Sequence, residues 1–286
     1  MRKSLPMKIR LFILLQHILP QHGLSRFIGK LADLKLSPGV RNKLLPAFIR
    51  KFKIDMSICT NPDINSYPTF NSFFIRTLKS EARPIAPGNV LISPVDGTVS
   101  QCGTINHDLL LQAKGRYYTL TQLLANDRSI RTFTDGLFAT LYLAPRDYHR
   151  IHMPYTGKLL RSIYVPGKLF SVNPTTAENV DSVFARNERL IAIFETEFGL
   201  MAVIFVGAML VAGICTAWQG VVAPNQSRDI QLYQHEHDDL IFKKGDELGY
   251  FNFGSTVILL LPKETLHWLP ELVAEKSVTM GSEIAR

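Results

Sequence analysis

The sequence predicts an α+β chain: an N-terminal amphipathic helical arm followed by a largely antiparallel β-sandwich or barrel-like domain. Three observations carry that expectation. First, the charge is uneven. The 286 residues have a net charge of +8, yet residues 1–53 hold twelve Lys or Arg against the single acid Asp33, while the remainder holds twenty basic and twenty-three acidic side chains. Second, apolar residues in that basic first fifth recur at helical spacing. Third, from about residue 90 short Val/Ile/Tyr/Leu runs are divided by Gly, Pro and Asn, as in a string of strands. With 46% apolar and 20% charged residues the chain can bury a core, which excludes wholesale disorder. Cys59, Cys102 and Cys215 lie far apart with no C-x-x-C. That set fits a reducing compartment better than a disulfide scaffold or a cysteine zinc site.

Within the arm, Leu11–Leu15, Ile18 and Leu19 form a dense apolar run after Lys8 and Arg10, ended by Pro20. Leu24, Phe27, Ile28 and Leu31 follow the i, i+3, i+4, i+7 rule with Arg26 and Lys30 off that face. Ser37-Pro38 reads as an N-cap and first helical residue, opening a third segment with Val40, Leu44, Leu45, Phe48 and Ile49. Aliphatic and Phe faces with Lys/Arg flanks suit an interfacial membrane anchor. Nucleic-acid binding would instead interleave stacking aromatics, and no Tyr or Trp precedes Tyr67. Arg2, Lys3, Lys8 and Arg10 before an apolar run imitate a signal peptide, but no small-x-small site follows and the run is too short to span a bilayer.

Ile54–Pro68 reads as a connector rich in Asn, Pro and Ser, so the boundary is placed between an arm, 1–53, and a catalytic domain, 54–286. The expected strands are Val90–Ile92, Gly97–Cys102, Leu109–Leu111, Leu137–Leu143, Gly157–Val165, Arg189–Glu195, Met201–Val206, Met209–Ile214, Gly220–Val222 and Thr256–Leu261. Thr119–Leu124 and Thr265–Val273 are expected helices. Phe198–Pro224 contains no charged side chain, but Gly207, Gly213 and Gly220 break it at strand-length intervals, so it reads as core strands and not as a transmembrane helix.

The G-x-G-x-x-G, Walker A, H-E-x-x-H and G-x-S-x-G motifs are absent. His235-x-His237 beside Glu236, Asp238 and Asp239 reads as a solvated loop, so no metal is expected. Asn225-Gln226-Ser227 matches a glycosylation sequon by chance. Three constellations remain: Asp96 in the turn Ser93-Pro94-Val95-Asp96-Gly97, His149 and His152 in Asp147–Pro154, and Ser255 after Gly254 at the head of a strand. Singly, each reads as a hairpin turn, a pair of structural histidines and a turn serine. Together they supply an Asp to orient a His and a His to take a serine proton. Two reactions stay open on the residues alone. Ser255 can attack an external carbonyl, as in a hydrolase acting on a lipid ester. It can also attack the carbonyl of Gly254, which has no side chain to shield it, moving the chain from amide to ester.

The chain resembles the phosphatidylserine decarboxylase proenzymes of the bacterial and mitochondrial type. The resemblance runs through Phe70–Arg76, Leu78-Lys79, Ala82–Ile85, Ser93–Gly97, Tyr148–Pro154, Val165–Asn173, Phe184–Arg189 and Gly254-Ser255-Thr256. The one departure at the junction is Phe253, where Leu is the commoner residue. The resemblance implies that Asp96, His152 and Ser255 form a self-processing triad that breaks Gly254–Ser255. The products would be a β chain, 1–254, and an α chain, 255–286, which stay associated. The α chain would begin with a pyruvoyl group made from Ser255, the covalent cofactor that forms a Schiff base with the substrate. His149 is implied to sit beside the substrate head group and handle protons during decarboxylation to phosphatidylethanolamine. The expected partners are phosphatidylserine and the cytoplasmic face of the cell membrane, held peripherally, with no nucleic acid; a homodimer of the αβ unit stays open. A pyruvoyl decarboxylase of a soluble amino acid is the rival within the same chemistry, disfavoured by the basic apolar arm.

Overall fold

The computed structural model describes residues 6–209, 213–225, 227–252 and 254–286. Arg2, Lys3, half of the expected Met209–Ile214 strand (210–212), Gln226 of the sequon and Phe253 lie outside the described residues. The arm forms three helices: α1 (Met7–Ile18), α2 (Gln21–Ala32) and α3 (Pro38–Phe52). Pro20 separates the first two, and Pro38 sits in the first turn of the third, where its missing N–H costs nothing.

The body is built on one nine-stranded sheet. Its order is Gln231–Gln234, Gly157–Val165, Arg189–Thr196, Gly199–Val206, Ser255–Leu261, Leu137–Leu143, Gly97–Thr104 and Ser277–Val278, with Ile241–Phe242 also paired to Gly157–Val165. Every pairing of these strands is antiparallel. The sheet stays open, with Gln231–Gln234 at one edge and Ser277–Val278 at the other, so no barrel closes. A four-stranded sheet (Gly220–Ala223, Ile214–Thr216, Glu247–Phe251, Arg150–His152) packs on one face, where Phe251 meets Phe205 at 5.9 Å and Trp218 meets Phe194 at 6.4 Å. The hairpin Leu109–Ala113/Arg116–Thr119 also joins the core, its Tyr118 ring 6.0 Å from Phe184. Ser255–Leu261 is therefore buried along its whole length. This explains an unbroken apolar run where a one-sided strand would alternate.

The uncharged Phe198–Pro224 stretch forms strands Gly199–Val206, Ile214–Thr216 and Gly220–Ala223 in its described parts. Among the described residues no helix is long and apolar enough to cross a membrane. The expected helix at Thr265–Val273 is absent: the segment is turns plus a bridge from Trp268 to Ala285, since Pro270 removes the N–H a helix would need. The expected helix at Thr119–Leu124 is present as one turn, Leu120–Leu123, with Thr119 and Gln122 closing a reciprocal cap.

The arm helices pack in two ways. Leu45 of α3 is fully buried in a small core of its own with Phe70, Phe73 and Phe74, and Phe48 meets Phe70 edge-on at 5.0 Å. In α1 the polarity is inverted: Gln16 is buried while Leu11, Leu14, Leu15 and Ile18 are exposed. Gln16 Oε1 accepts from the Ser171 N–H at 2.8 Å, and its amide donates to Thr176 Oγ1 at 3.2 Å. Gln21 Oε1 accepts from the Leu169 N–H at 2.7 Å, and His22 Nε2 donates to the Gly167 carbonyl at 2.8 Å. Polar side chains therefore fasten α1 and α2 to residues 167–176, and the apolar faces point outward.

Candidate active site

Sheet topology gathers the site. Ser255 opens the central strand opposite Leu143, and Thr256 lies between Tyr142 and Val206. From Leu143 the chain continues into the loop that carries His149. Strand Arg150–His152 pairs with Glu247–Phe251, with Arg150 opposite Tyr250 and the Phe251 N–H donating to the His149 carbonyl at 3.1 Å. The histidine segment is thus tied to the strand that leads into the Gly254–Ser255 junction.

Ser255 is completely buried, and its Oγ has no hydrogen-bond partner among the described residues. An unpartnered buried hydroxyl is costly, and such groups concentrate at reactive positions. His149 is in the same condition. Its Nδ1 donates to the Asp147 carbonyl at 2.8 Å, its ring packs on Phe74 at 4.2 Å, and Nε2 is buried without a described partner. Burial drives its pKa down from 6.5 to about 3, so the ring is neutral near pH 7 and Nε2 is a free lone pair. The loop is itself braced: Asp147 Oδ2 accepts from the Ala144 N–H at 2.7 Å, and Arg76 donates to the Arg146 carbonyl at 3.0 Å.

His152 Nδ1 donates to the Gly245 carbonyl at 2.8 Å, which leaves Nε2 to accept from the Tyr148 hydroxyl at 3.1 Å. Burial lowers its pKa too. Asp96 lies close by, because the His152 N–H donates to the Pro94 carbonyl at 2.8 Å, but the two side chains are not hydrogen-bonded. The Asp96 carboxylate instead takes the Arg83 guanidinium bidentately, at 2.8 Å from Nε and 2.5 Å from Nη2, and the Met280 N–H at 2.8 Å. The carbonyl of Gly245 thus fixes the His152 tautomer, and Asp96 ties its turn to residues that follow the junction. Gly97 is required beside it: a Cβ there would lie 2.5 Å from the Tyr142 carbonyl oxygen.

A cavity of about 160 Å³ opens at Gly254, walled by Tyr142, Pro145, Ser171, Val172, Asn173 and Ala208. Its Ser171 wall is the segment that Gln16 and Gln21 hold, so the arm is mechanically continuous with the junction. His235 hydrogen-bonds Asp238 and Ser162, and no group of three or more His, Cys, Asp or Glu among the described residues could hold a metal. Sequence reasoning missed Phe74, Arg83, Gly245 and Gln16 as parts of this neighbourhood. Arg83 was visible only as part of the Ala82–Ile85 match, and a carbonyl contributed by Gly245 leaves no signature in side-chain pattern.

An unpartnered buried serine at the head of the central strand, with two histidines carried on a segment paired to the strand that precedes it, marks the chain as an enzyme. The model of the family described as phosphatidylserine decarboxylase matches residues 70–286, and a second, described as PSD, matches residues 11–53. The chain belongs to the phosphatidylserine decarboxylase family. It is 49% identical over 280 residues to the phosphatidylserine decarboxylase proenzyme of Marinobacter nauticus, covering 97% of this chain and 98% of that protein. It is 53% identical over 263 residues to that of Francisella philomiragia, covering 91% and 92%. It is 47% identical over 279 residues to that of Hahella chejuensis, covering 97% and 94%.

Proposed function

We propose that this enzyme, a carboxy-lyase, converts phosphatidylserine to phosphatidylethanolamine at a membrane surface after its own backbone breaks at Gly254–Ser255. One observation carries the reading: the partnerless Ser255 hydroxyl is fully buried directly after Gly254. A hydrolytic serine must meet an external ester, from which burial shields this one. The carbonyl of Gly254 is already adjacent, so attack within the chain needs no access.

In that step Ser255 Oγ bonds to the Gly254 carbonyl carbon as the Gly254–Ser255 C–N bond breaks, leaving an ester and a free amine. His152 Nε2 takes the hydroxyl proton once the Tyr148 O–H turns away from it. Loss of the Ser255 Cα proton then expels residues 1–254 as a carboxylate and leaves a dehydroalanine at 255. Water replaces its nitrogen, releasing ammonia and leaving a pyruvoyl group at the start of 255–286. That group supplies an electron sink for the pair left behind when carbon dioxide departs. His149 holds or delivers a proton at Nε2, which is neutral, buried and unengaged among the described residues. The two chains stay together, because 255–261 is hydrogen-bonded on both sides and 283–285 pairs with 91–92.

The arm supports the membrane half. Of twenty large hydrophobic side chains exposed among the described residues, twelve lie between Met7 and Leu44. An outward apolar face with basic flanks suits peripheral binding to an anionic bilayer, here the cytoplasmic face of the cell membrane. Intact mass spectrometry tests the chemistry. The purified protein should give chains 1–254 and 255–286, the second with a blocked N-terminus, and reductive amination in the presence of phosphatidylserine should add the lipid to the second chain only. A single uncut chain that still decarboxylates would overturn the reading.

A further inference from the structure

A second cleft lies where the arm meets the body. Between α2, the end of strand Gly157–Val165 with the residues that follow it, and Asn225, Ser227 and Arg228 runs a cleft of about 860 Å³ whose lining includes His22, Arg26, Lys168, Arg186 and Arg228 and no Asp or Glu among the described residues. An adjoining cavity of about 370 Å³ shares His22, Lys168 and Arg186 and extends to Leu19 and Phe170. Neither shares a lining residue with the cavity at Gly254.

The cations here are unspent. Arg26, Lys168, Arg186 and Arg228 form no ion pair among the described residues. Arg186 rests over the Phe170 ring at 4.7 Å, which orients the guanidinium and leaves its charge unneutralised. Glu188 acts on His22 and Arg26 electrostatically, but it is buried, accepts from the Tyr164 hydroxyl at 2.5 Å, and its pKa is raised by burial, which weakens it as a counter-charge. Four Lys and Arg side chains lining an opening that has no acid among its described lining residues make an anion site. Exposed apolar residues neighbouring these cations in the chain point to the anion's other end. Phe27 follows Arg26 and is 60% exposed, Leu31 lies one turn further on α2, and Ile230 stands exposed two residues after Arg228. A ligand charged at one end and apolar at the other satisfies both features.

We propose that this cleft binds the phosphate of an anionic phospholipid, holding a bilayer lipid that is not the one being decarboxylated and setting the orientation of the arm on the membrane. The proposal rests on the membrane reading of the arm. A free phosphate shares the head chemistry but would leave the exposed apolar residues of α2 without a role.

The test uses the full-length protein with dihexanoyl-phosphatidylglycerol below its micelle concentration, inorganic phosphate, and the variant Lys168→Gln/Arg186→Gln/Arg228→Gln. All three side chains are exposed, so the variant should melt like the wild type without ligand; if it does not, Lys168→Gln/Arg228→Gln takes its place. The short-chain lipid should raise the wild-type melting temperature saturably, and the variant's affinity should fall about a hundredfold, roughly fivefold for each basic side chain. An unchanged affinity in the variant would overturn the site. An equal response to inorganic phosphate would overturn the lipid assignment. Cosedimentation with phosphatidylcholine vesicles separates the two readings. Variant and wild type should bind these neutral vesicles alike through the apolar face, and failure of both would sink the membrane reading while leaving the melting experiment intact.

Discussion

Two substitutions that block processing should have opposite effects on stability. On the proposed chemistry Ser255→Ala removes the attacking oxygen and His152→Ala removes the base, so each should leave one chain of 32.2 kDa without decarboxylase activity. Because both stay uncut, their melting can be compared directly. Ser255 Oγ is buried with no described partner, so its removal discards an uncompensated hydroxyl and should be neutral or stabilising by ~1 kcal/mol. His152→Ala breaks the bonds to the Gly245 carbonyl and the Tyr148 hydroxyl, each worth ~1 kcal/mol net, and strands the buried tyrosine hydroxyl. The gap between the two proteins should therefore be about 3 kcal/mol. At an unfolding entropy of about 2.1 cal/mol/K per residue, that is about 5 °C in melting temperature for a chain of this length. Differential scanning calorimetry beside a denaturing gel reads both quantities. A Ser255→Ala chain that still splits would refute the chemistry. Equal melting of the two uncut proteins would refute the hydrogen bonding assigned to His152.

Three further outcomes are expected. His149→Gln should process normally yet decarboxylate poorly, and it should also alter the pH dependence of stability. The folded His149 pKa of about 3 lies below the unfolded 6.5, so the unfolded chain binds more protons between those values, and wild-type stability falls as pH drops through that window. The variant's melting curve between pH 6 and 4 should be flatter by up to ~1.4 kcal/mol per pH unit, and an unchanged slope would mean His149 is not buried neutral. Arg83→Gln should slow processing through Asp96, which would keep its bond to Met280 but lose its bidentate partner; normal processing would show the pair to be dispensable. Deleting residues 1–33 should leave a soluble chain that still self-cleaves but binds vesicles poorly. Leu45→Ala should instead cost about 2–5 kcal/mol, because that side chain is fully buried against the Phe70–Phe74 core. Solubility assays and urea melts would expose either expectation as wrong.

Much of this was legible in the sequence. Strands such as Leu137–Leu143 and Gly157–Val165 appear with the bounds their β-branched and aliphatic runs suggested, because buried sheet positions demand those residues. Shorter strands escaped notice. Arg150–His152 and Gln231–Gln234 carry polar residues and owe their conformation to the neighbours they pair with. The basic flanks of α1 already suggested an outward apolar face, but what holds that face outward was invisible for a related reason. Periodicity reveals that a helix has an apolar face but not which way that face points, and only the long-range bonds of Gln16 and Gln21 decide it. At the site, Asp96, His149, His152 and Ser255 stood out by residue type. The acceptor that orients His152 did not, because every residue has a carbonyl and only the turn near Gly245 brings that one into place.

Ser255 occupies the first position of the strand that divides the large sheet, flanked by Leu137–Leu143 and Gly199–Val206. On the proposed chemistry, a cofactor made there is not a guest. It is the cut end of a beam already mortised between two others, so its direction is fixed by ladders of backbone hydrogen bonds and not by a binding pocket. Such a group needs no loading step and cannot diffuse away or be exchanged for a fresh one. Damage to it is permanent, and the only repair is synthesis of a new polypeptide. Nor can maturation be rehearsed in pieces: a peptide of residues 255–286 offered separately would have to wedge itself between strands free to close on each other. Folding must come first, and the break must follow it.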